Sequence, residues 1–274
     1  MRSVRSRGLT AVIGAVLSLG ALMTAFPFLW MVFASVKPRP ESVAYPPRLL
    51  PRQPTPEYFA QLFAELDFGR YLVNTVAIVL ISMAGVVLMA MAGYGFAKFR
   101  FRGRRLMFFL VLVTIMIPSQ VTMIPGYLVL NGMGLTNTLI GIVLPTLVSG
   151  FGIFLFRQFM TTIPTEMIEA ARIDGAGEAR ILWWIVLPLS RPVLAVQVVL
   201  TFIGSWNSFL WPLVIANDER LYTLTVGVSL LNRQIATNPS LQMAGSTLMV
   251  IPILIVFVVF QRHIVRGLTL SGLK

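Results

Sequence analysis

The chain of 274 residues contains no cysteine. Disulfides, thiolate metal sites and cysteine nucleophiles are therefore excluded. Charge is scarce as well: Asp, Glu, Lys and Arg make up 12% of the residues, against about 25% in soluble domains. Acidic residues are the scarcer sign, 10 against 22 Lys and Arg. No G-x-x-x-x-G-K-[ST] phosphate loop occurs, so the chain lacks the usual ATP site. It also has no H-E-x-x-H motif and no carboxylate pair at catalytic spacing. No catalytic, cofactor-binding or metal-ligating residue is assigned.

What is abundant is apolar. Hydrophobic residues make up 57% of the chain and the mean hydropathy is +0.82. The net charge of +12 does not indicate a nucleic-acid partner, because the basic residues lie between apolar runs and form no single patch. Charge-free stretches run over Gly8–Val36, Tyr71–Ala97, Leu106–Phe156, Pro192–Asn217 and Gln234–Gln261. A membrane-spanning helix needs about 20 apolar residues, so these stretches read as spans. The third is too long for one crossing and is divided at the turn-rich Asn131-Gly132-Met133-Gly134-Leu135-Thr136-Asn137. The first exceeds a signal-peptide core and has no convincing cleavage site, so it reads as a retained span. The expectation is an all-α membrane protein with six transmembrane helices, at about 9–36, 71–97, 106–130, 138–156, 192–216 and 243–262.

Lysine and arginine set the orientation. One side carries 15: Arg2, Arg5, Arg7, Lys98, Arg100, Arg102, Arg104, Arg105, Arg157, Arg172, Arg180, Arg191, Arg262, Arg266 and Lys274. The other carries seven: Lys37, Arg39, Arg48, Arg52, Arg70, Arg220 and Arg233. Both termini are therefore expected on the cytoplasmic side. The loop 37–70 then lies outside; its seven prolines between Pro38 and Pro56 predict an extended, semi-rigid path. Its end, Pro56 to Phe63, reads as a short amphipathic helix. The loop 157–191 lies inside. There Pro164 suits a helix start. Glu166 and Glu169 sit in the first turns, where they complement the helix dipole. Gly175 suits a left-handed helix end. A second helix, from about Gly177 to Leu187, should stop at Pro188. The product is a helix–glycine–helix elbow whose Ala170 and Ala171 leave room for another backbone.

Glu169-Ala170-Ala171, then Gly175, then Ile185-Val186-Leu187-Pro188 meet every position of a long-spaced pattern. That pattern resembles the EAA loop of ABC importer permeases. Tyr94 to Gly103, Met116-Ile117-Pro118, Phe202 to Leu213 and Leu268 to Lys274 are similar to MalG-like permeases of carbohydrate importers. The resemblance covers nearly the whole chain from the first span onward. It implies an ABC type I importer permease fold, forming one transmembrane permease domain over 1–274 in a bacterial cytoplasmic membrane. The implied partners are a second homologous permease subunit, two ATP-binding subunits, an extracytoplasmic solute-binding protein and membrane lipid. ATP and Mg would be used by the ATP-binding subunits. Glu169, Ala170, Ala171, Asp174 and Gly175 would make the ATPase-coupling contact.

A hydroxyl-rich solute needs polar and aromatic side chains inside the bundle, where polar groups avoid lipid. Asn74, Gln120, Ser205, Trp206 and Asn207 are the candidates for the solute path. Pro118 is the candidate gate kink, because proline removes a helix hydrogen bond. Gly85, Gly93 and Gly95 are expected at close helix contacts. Two other classes fit a polytopic chain. An ion-coupled secondary sugar transporter usually carries ionisable groups in its spans, and these six expected spans hold no Asp or Glu. An intramembrane enzyme would need a catalytic constellation.

Overall fold

The computed structural model describes residues 4–234 and 238–271. Arg2, Lys274 and the last three residues of the C-terminal motif lie outside the described residues, as do the side chains of Arg5, Arg7, Arg233, Arg262, His263 and Arg266. Every regular element among the described residues is helical. The order is α1 (Val4–Ser35), α2 (Arg39–Ser42), α3 (Glu57–Glu65), α4 (Phe68–Lys98), α5 (Arg104–Met116), α6 (Ser119–Gly132), α7 (Leu139–Val143) and α8 (Gly150–Met160). Then follow α9 (Thr165–Ile173), α10 (Glu178–Ile181), a π-helical turn Leu182–Val186, α11 (Leu187–Leu189), α12 (Arg191–Trp206), α13 (Leu210–Ile215), α14 (Leu224–Gln234) and α15 (Pro239–Ser271).

Three single helices are long and apolar enough to cross a membrane: Gly8–Ser35, Phe68–Lys98 and Pro239–Gln261. Three further crossings are possible only as bent pairs, giving up to six in all. The pairs bend by 105° between α5 and α6, by 45° between Leu139–Thr146 and α8, and by 84° between Glu178–Leu189 and α12. The third span, expected at 106–130 with a kink at Pro118, is bent there by 105° into two separate helices. Its arms have 13 and 14 residues, about 20 Å each, short of a hydrocarbon core of about 30 Å. The break has a local cause: Ile117 is extended (φ −87°, ψ 118°), as a residue before proline prefers, and Pro118 has no N–H to continue the ladder.

The span expected at 192–216 is broken too. Its helix ends at Trp206, and Phe209 adopts a non-helical φ of −124° before α13. Pro212 cannot donate to the Ser208 carbonyl. The Thr225 hydroxyl donates to that carbonyl instead, at 2.5 Å. The second elbow arm, expected to stop at Pro188, continues one residue further, to Leu189.

The chain divides into two compact units, residues 1–68 with 228–252 and residues 69–227 with 253–274. In the first, the most apolar window of α1 is entirely exposed, as suits a helix bathed in lipid. The proline-rich segment is tied down locally. Glu41 accepts the Arg52 N–H at 2.9 Å, and the Lys37 ammonium lies 4.6 Å from the Trp30 ring centre while donating to the Arg48 carbonyl. α3 buries Tyr58 and Leu62, and Phe63 meets Phe68 edge-on at 5.4 Å.

In the second unit α4 is the spine. A Cβ on Gly85 would lie 1.8 Å from the Leu147 carbonyl oxygen, and one on Gly93 would lie 2.4 Å from Phe156 Cβ. Small residues at these positions let backbones approach closely. Gly95 instead faces open space. One core joins Met89, Ala90 and Tyr94 of α4 to Phe156 and Met160 of α8, Ile168 of α9, and Ile181 and Val186 beyond the elbow. A second core gathers Ile78, Leu130, Ile142, Val143 and Ile215.

Candidate coupling elbow and solute cavity

The elbow begins with Pro164, followed by α9. At its end Asp174 N–H donates to Ala170, Gly175 N–H to Arg172 and Ala176 N–H to Ala171, at 2.9–3.0 Å. The last two bonds, with Gly175 at φ +80°, form a Schellman cap. Glu169, Ala170, Asp174 and Gly175 are exposed, while Ala171 is half-buried against the core. Of the five residues expected to make the coupling contact, four are thus exposed. Ala171 and Asp174 also line a cavity of about 520 Å³ with Ala176, Arg180 and Trp184. Trp184 is 78% exposed and Ile173 87%. The elbow therefore presents apolar surface beside its acidic residues.

The opposite face is anchored. Ile168 and Ile181 are buried at 1% and 0% exposure. Burial on that scale contributes about 1.5–3 kcal/mol per side chain, an upper estimate. A polar cluster adds direction. Arg172 Nε donates to Glu178 Oε1 at 2.7 Å across the turn, and Tyr94 Oη of α4 donates to Glu178 Oε2 at 3.0 Å. The Arg172–Glu178 pair is more than one-third exposed on both sides, so it is worth only about 0.2–1 kcal/mol. The apolar anchor therefore outweighs it, and the cluster orients more than it holds. The hydrogen bond to Glu178 is the first cause raising the Arg172 pKa above the ordinary guanidinium value, so Arg172 stays charged. Tyr94 also meets Phe99 edge-on at 5.3 Å. Lys98 donates to the Ile163 carbonyl just before α9, a second tie between α4 and the elbow.

Sequence reasoning missed Tyr94, Arg172 and Glu178 as elements of this joint. A signal was present: Tyr94 is a polar-tipped residue near the charged end of an apolar run. Arg172 and Glu178 flank the turn with opposite signs.

A cavity of about 770 Å³ lies elsewhere in the same unit. Gln120 lines it from the first turn of α6, and Asn207 from the break after α12. Ser119, Thr122, Thr146 and Trp211 add hydroxyls and an indole face. Trp211 is pinned by its Nε1–H, which donates to the Gly141 carbonyl at 3.2 Å. Among the described residues the lining carries no charged side chain. Ser119 and Gln120 directly follow Pro118, so the bend carries two lining residues.

The other candidates stand apart from this lining. Asn74 is buried and its amide donates to the Arg220 and Tyr222 carbonyls at 2.7 and 3.0 Å, clamping α4 to a loop. Trp206 is buried and stacks on Phe202 at 5.5 Å. Ser205 is half-buried.

Comparison with known proteins gives a consistent result. The family described as "Binding-protein-dependent transport system inner membrane component" matches residues 85–270. The chain is 35% identical to the arabinooligosaccharides transport system permease protein AraQ of Halalkalibacterium halodurans, over 93% of this chain and 92% of that protein. It is 34% identical to the lactose transport system permease protein LacG of Rhizobium radiobacter, over 98% of each. It is 32% identical to the sn-glycerol-3-phosphate transport system permease protein UgpE of Brucella abortus, over 97% of this chain and 98% of that one. Among solved structures, a chain of a bacterial ABC transporter involved in the import of the acidic polysaccharide alginate superposes with a TM-score of 0.83 at 25% identity, covering 96% of this chain and 98% of that chain. The chain belongs to the binding-protein-dependent transport system inner membrane components.

Proposed function

We propose that the chain is the MalG-like permease subunit of an ATP-driven, binding-protein-dependent importer that translocates a neutral sugar or oligosaccharide. The observation that carries the solute class is the cavity lining: Gln120, Asn207, Ser119, Thr122 and Trp211 offer amides, hydroxyls and an aromatic face without charge. Such a surface exchanges hydrogen bonds with sugar hydroxyls and stacks on a pyranose ring. An anionic solute would meet no cation there. The similarity to permeases of arabinooligosaccharide and lactose transport systems is compatible with the sugar class, and the sn-glycerol-3-phosphate permeases are similar at nearly the same identity.

The subunit works as one permease domain over 1–274, multi-pass in the cytoplasmic membrane with both termini inside. It pairs with a homologous permease, two ATP-binding subunits that use ATP and Mg, and an extracytoplasmic solute-binding protein. The 157–191 loop faces the ATP-binding subunits, while the 37–70 loop lies outside. Glu169, Ala170, Asp174 and Gly175 form the docking rim, and Ala171 lets it seat against the core. Closure of the ATPase pair displaces the elbow. The core through Ile168, Ile181 and Met160, with the Tyr94–Glu178 contact, passes that displacement to α4, α8 and α12. The bend at Pro118 serves as the gate that carries Gln120 into or out of the path. Such switching between two packed arrangements is the usual basis of alternating access.

The test is uptake into proteoliposomes holding the assembled importer and its binding protein. Labelled neutral oligosaccharides should accumulate with ATP inside and no ion gradient, and Gln120→Ala with Asn207→Ala should slow uptake while leaving assembly intact. Uptake driven by an ion gradient without ATP would overturn the reading in favour of a secondary transporter.

A further inference from the structure

A third cavity, of about 960 Å³, opens at the end of α5 beside the loop that links it to α4. Arg100, Arg104, Arg105 and Arg157 line it, and no acidic side chain does among the described residues. Four guanidinium groups around one hollow repel one another unless an anion sits among them. Two are held in place. Arg157 lies 4.1 Å from the Phe108 ring centre and donates to Gln158 Oε1 at 3.0 Å. Arg104 donates to the Phe99 carbonyl at 3.0 Å. Arg157 Nε is buried with no hydrogen-bond partner among the described residues, a donor that costs stability unless something accepts from it. Arg100 and Arg105 are exposed at the mouth and make no ion pair among the described residues.

The rest of the hollow is apolar. Phe108, Phe109 and Leu112 of α5 line it, and Phe108 is braced by Phe96 at 5.5 Å and Phe154 at 6.5 Å. Leu106, Phe109 and Leu110 continue outward from the cavity as an exposed apolar face. A cationic mouth thus leads directly onto a greasy wall at the end of an apolar helix. Guanidinium forks match phosphate oxygens in charge and geometry, and the wall suits acyl chains.

We infer that this cavity binds the phosphate headgroup of an acidic phospholipid of the cytoplasmic leaflet, with the Arg100, Arg105 and Arg157 guanidinium groups around the phosphate and the chains along α5. The inference rests on the membrane-permease reading, but on none of the solute residues.

The test uses the assembled importer in phosphatidylcholine nanodiscs with and without phosphatidylglycerol, with retained lipid counted by native mass spectrometry. Wild type should retain phosphatidylglycerol selectively. Arg100→Gln with Arg105→Gln should lower retention about 10-fold, the loss of about 1.4 kcal/mol. Arg102→Gln removes the same charge from the same loop but does not line the cavity. It should retain lipid as wild type does, which separates a site from general loop charge. Arg157→Lys keeps the charge, loses the fork, and should bind less. Equal retention by wild type and the double variant would overturn the proposal, as would equal loss in Arg102→Gln. Displacement of the lipid by inorganic phosphate would make it a free-anion site. Retention by the importer stripped of its ATP-binding subunits but not by the assembled importer would make it a protein contact. Sugar uptake, read in parallel, fails only if the importer reading fails.

Discussion

Gly175 closes the elbow with φ +80°, and a Cβ built there meets nothing within 4 Å. Gly175→Ala therefore introduces no clash within the chain. Its cost is conformational: an L-residue in the left-handed region costs about 1–2 kcal/mol. Two outcomes are open to the alanine variant. It can hold the strained turn, or it can abandon φ > 0 and lose the Ala176-to-Ala171 and Gly175-to-Arg172 bonds that define the cap. The second route frees α10 to swing and separates Arg172 from Glu178. Asparagine tolerates the left-handed region better than alanine. Gly175→Asn should therefore recover much of the loss despite its larger side chain. The assay is solute-stimulated ATP hydrolysis by the reconstituted importer, with thermal unfolding of the complex alongside. Alanine should lower coupling several-fold, about 5–30-fold at most for 1–2 kcal/mol, and asparagine should lie between alanine and wild type. Asparagine worse than alanine would refute the argument, because side-chain bulk against a partner, not backbone strain, would then be the cause.

Two further substitutions separate roles. Tyr94→Phe removes a hydrogen bond to a carboxylate and should cost about 1.5–3 kcal/mol at most. It should uncouple ATP hydrolysis from transport more than it weakens ATPase recruitment, as measured by hydrolysis with and without solute. Asn74→Ala leaves the Arg220 and Tyr222 carbonyls without their buried donor. It should lower thermal stability by about 1–3 kcal/mol with an unchanged solute KM. Asn207→Ala at the cavity should raise that KM with little change in melting.

The helical class and the three long apolar helices came through clearly in the sequence because both follow from composition. A charge-free run such as 71–97 has one stable solution in lipid, a helix that satisfies its own backbone. The bends were only half legible. Pro118 announced a disturbance, but an angle of 105° depends on what packs behind it. The break after Trp206 gave a weaker hint, because the effect of Pro212 lies at Ser208, four residues earlier, where a threonine distant in sequence supplies the missing donor. The first arm of the elbow and its glycine cap could be read in the sequence because their determinants are local: a proline, two glutamates and a glycine within twelve positions. The joint behind it could not. Tyr94 and Glu178 stand 84 positions apart and meet only when α4 and the elbow share a core. For the same reason Asn74 looked like a cavity residue. Its burial and type fit that role, and only the fold directs its amide to two loop carbonyls.

The central claim is that the exposed Glu169 rim is where this subunit meets the ATP-binding subunits. Co-purification with those subunits, comparing wild type with Glu169→Ala, tests it most directly. Wild type should recover the ATPase pair and hydrolyse ATP faster with loaded binding protein. Glu169→Ala should recover less ATPase or lose the stimulation while the permease folds normally. Full recovery and full stimulation by Glu169→Ala would contradict the claim.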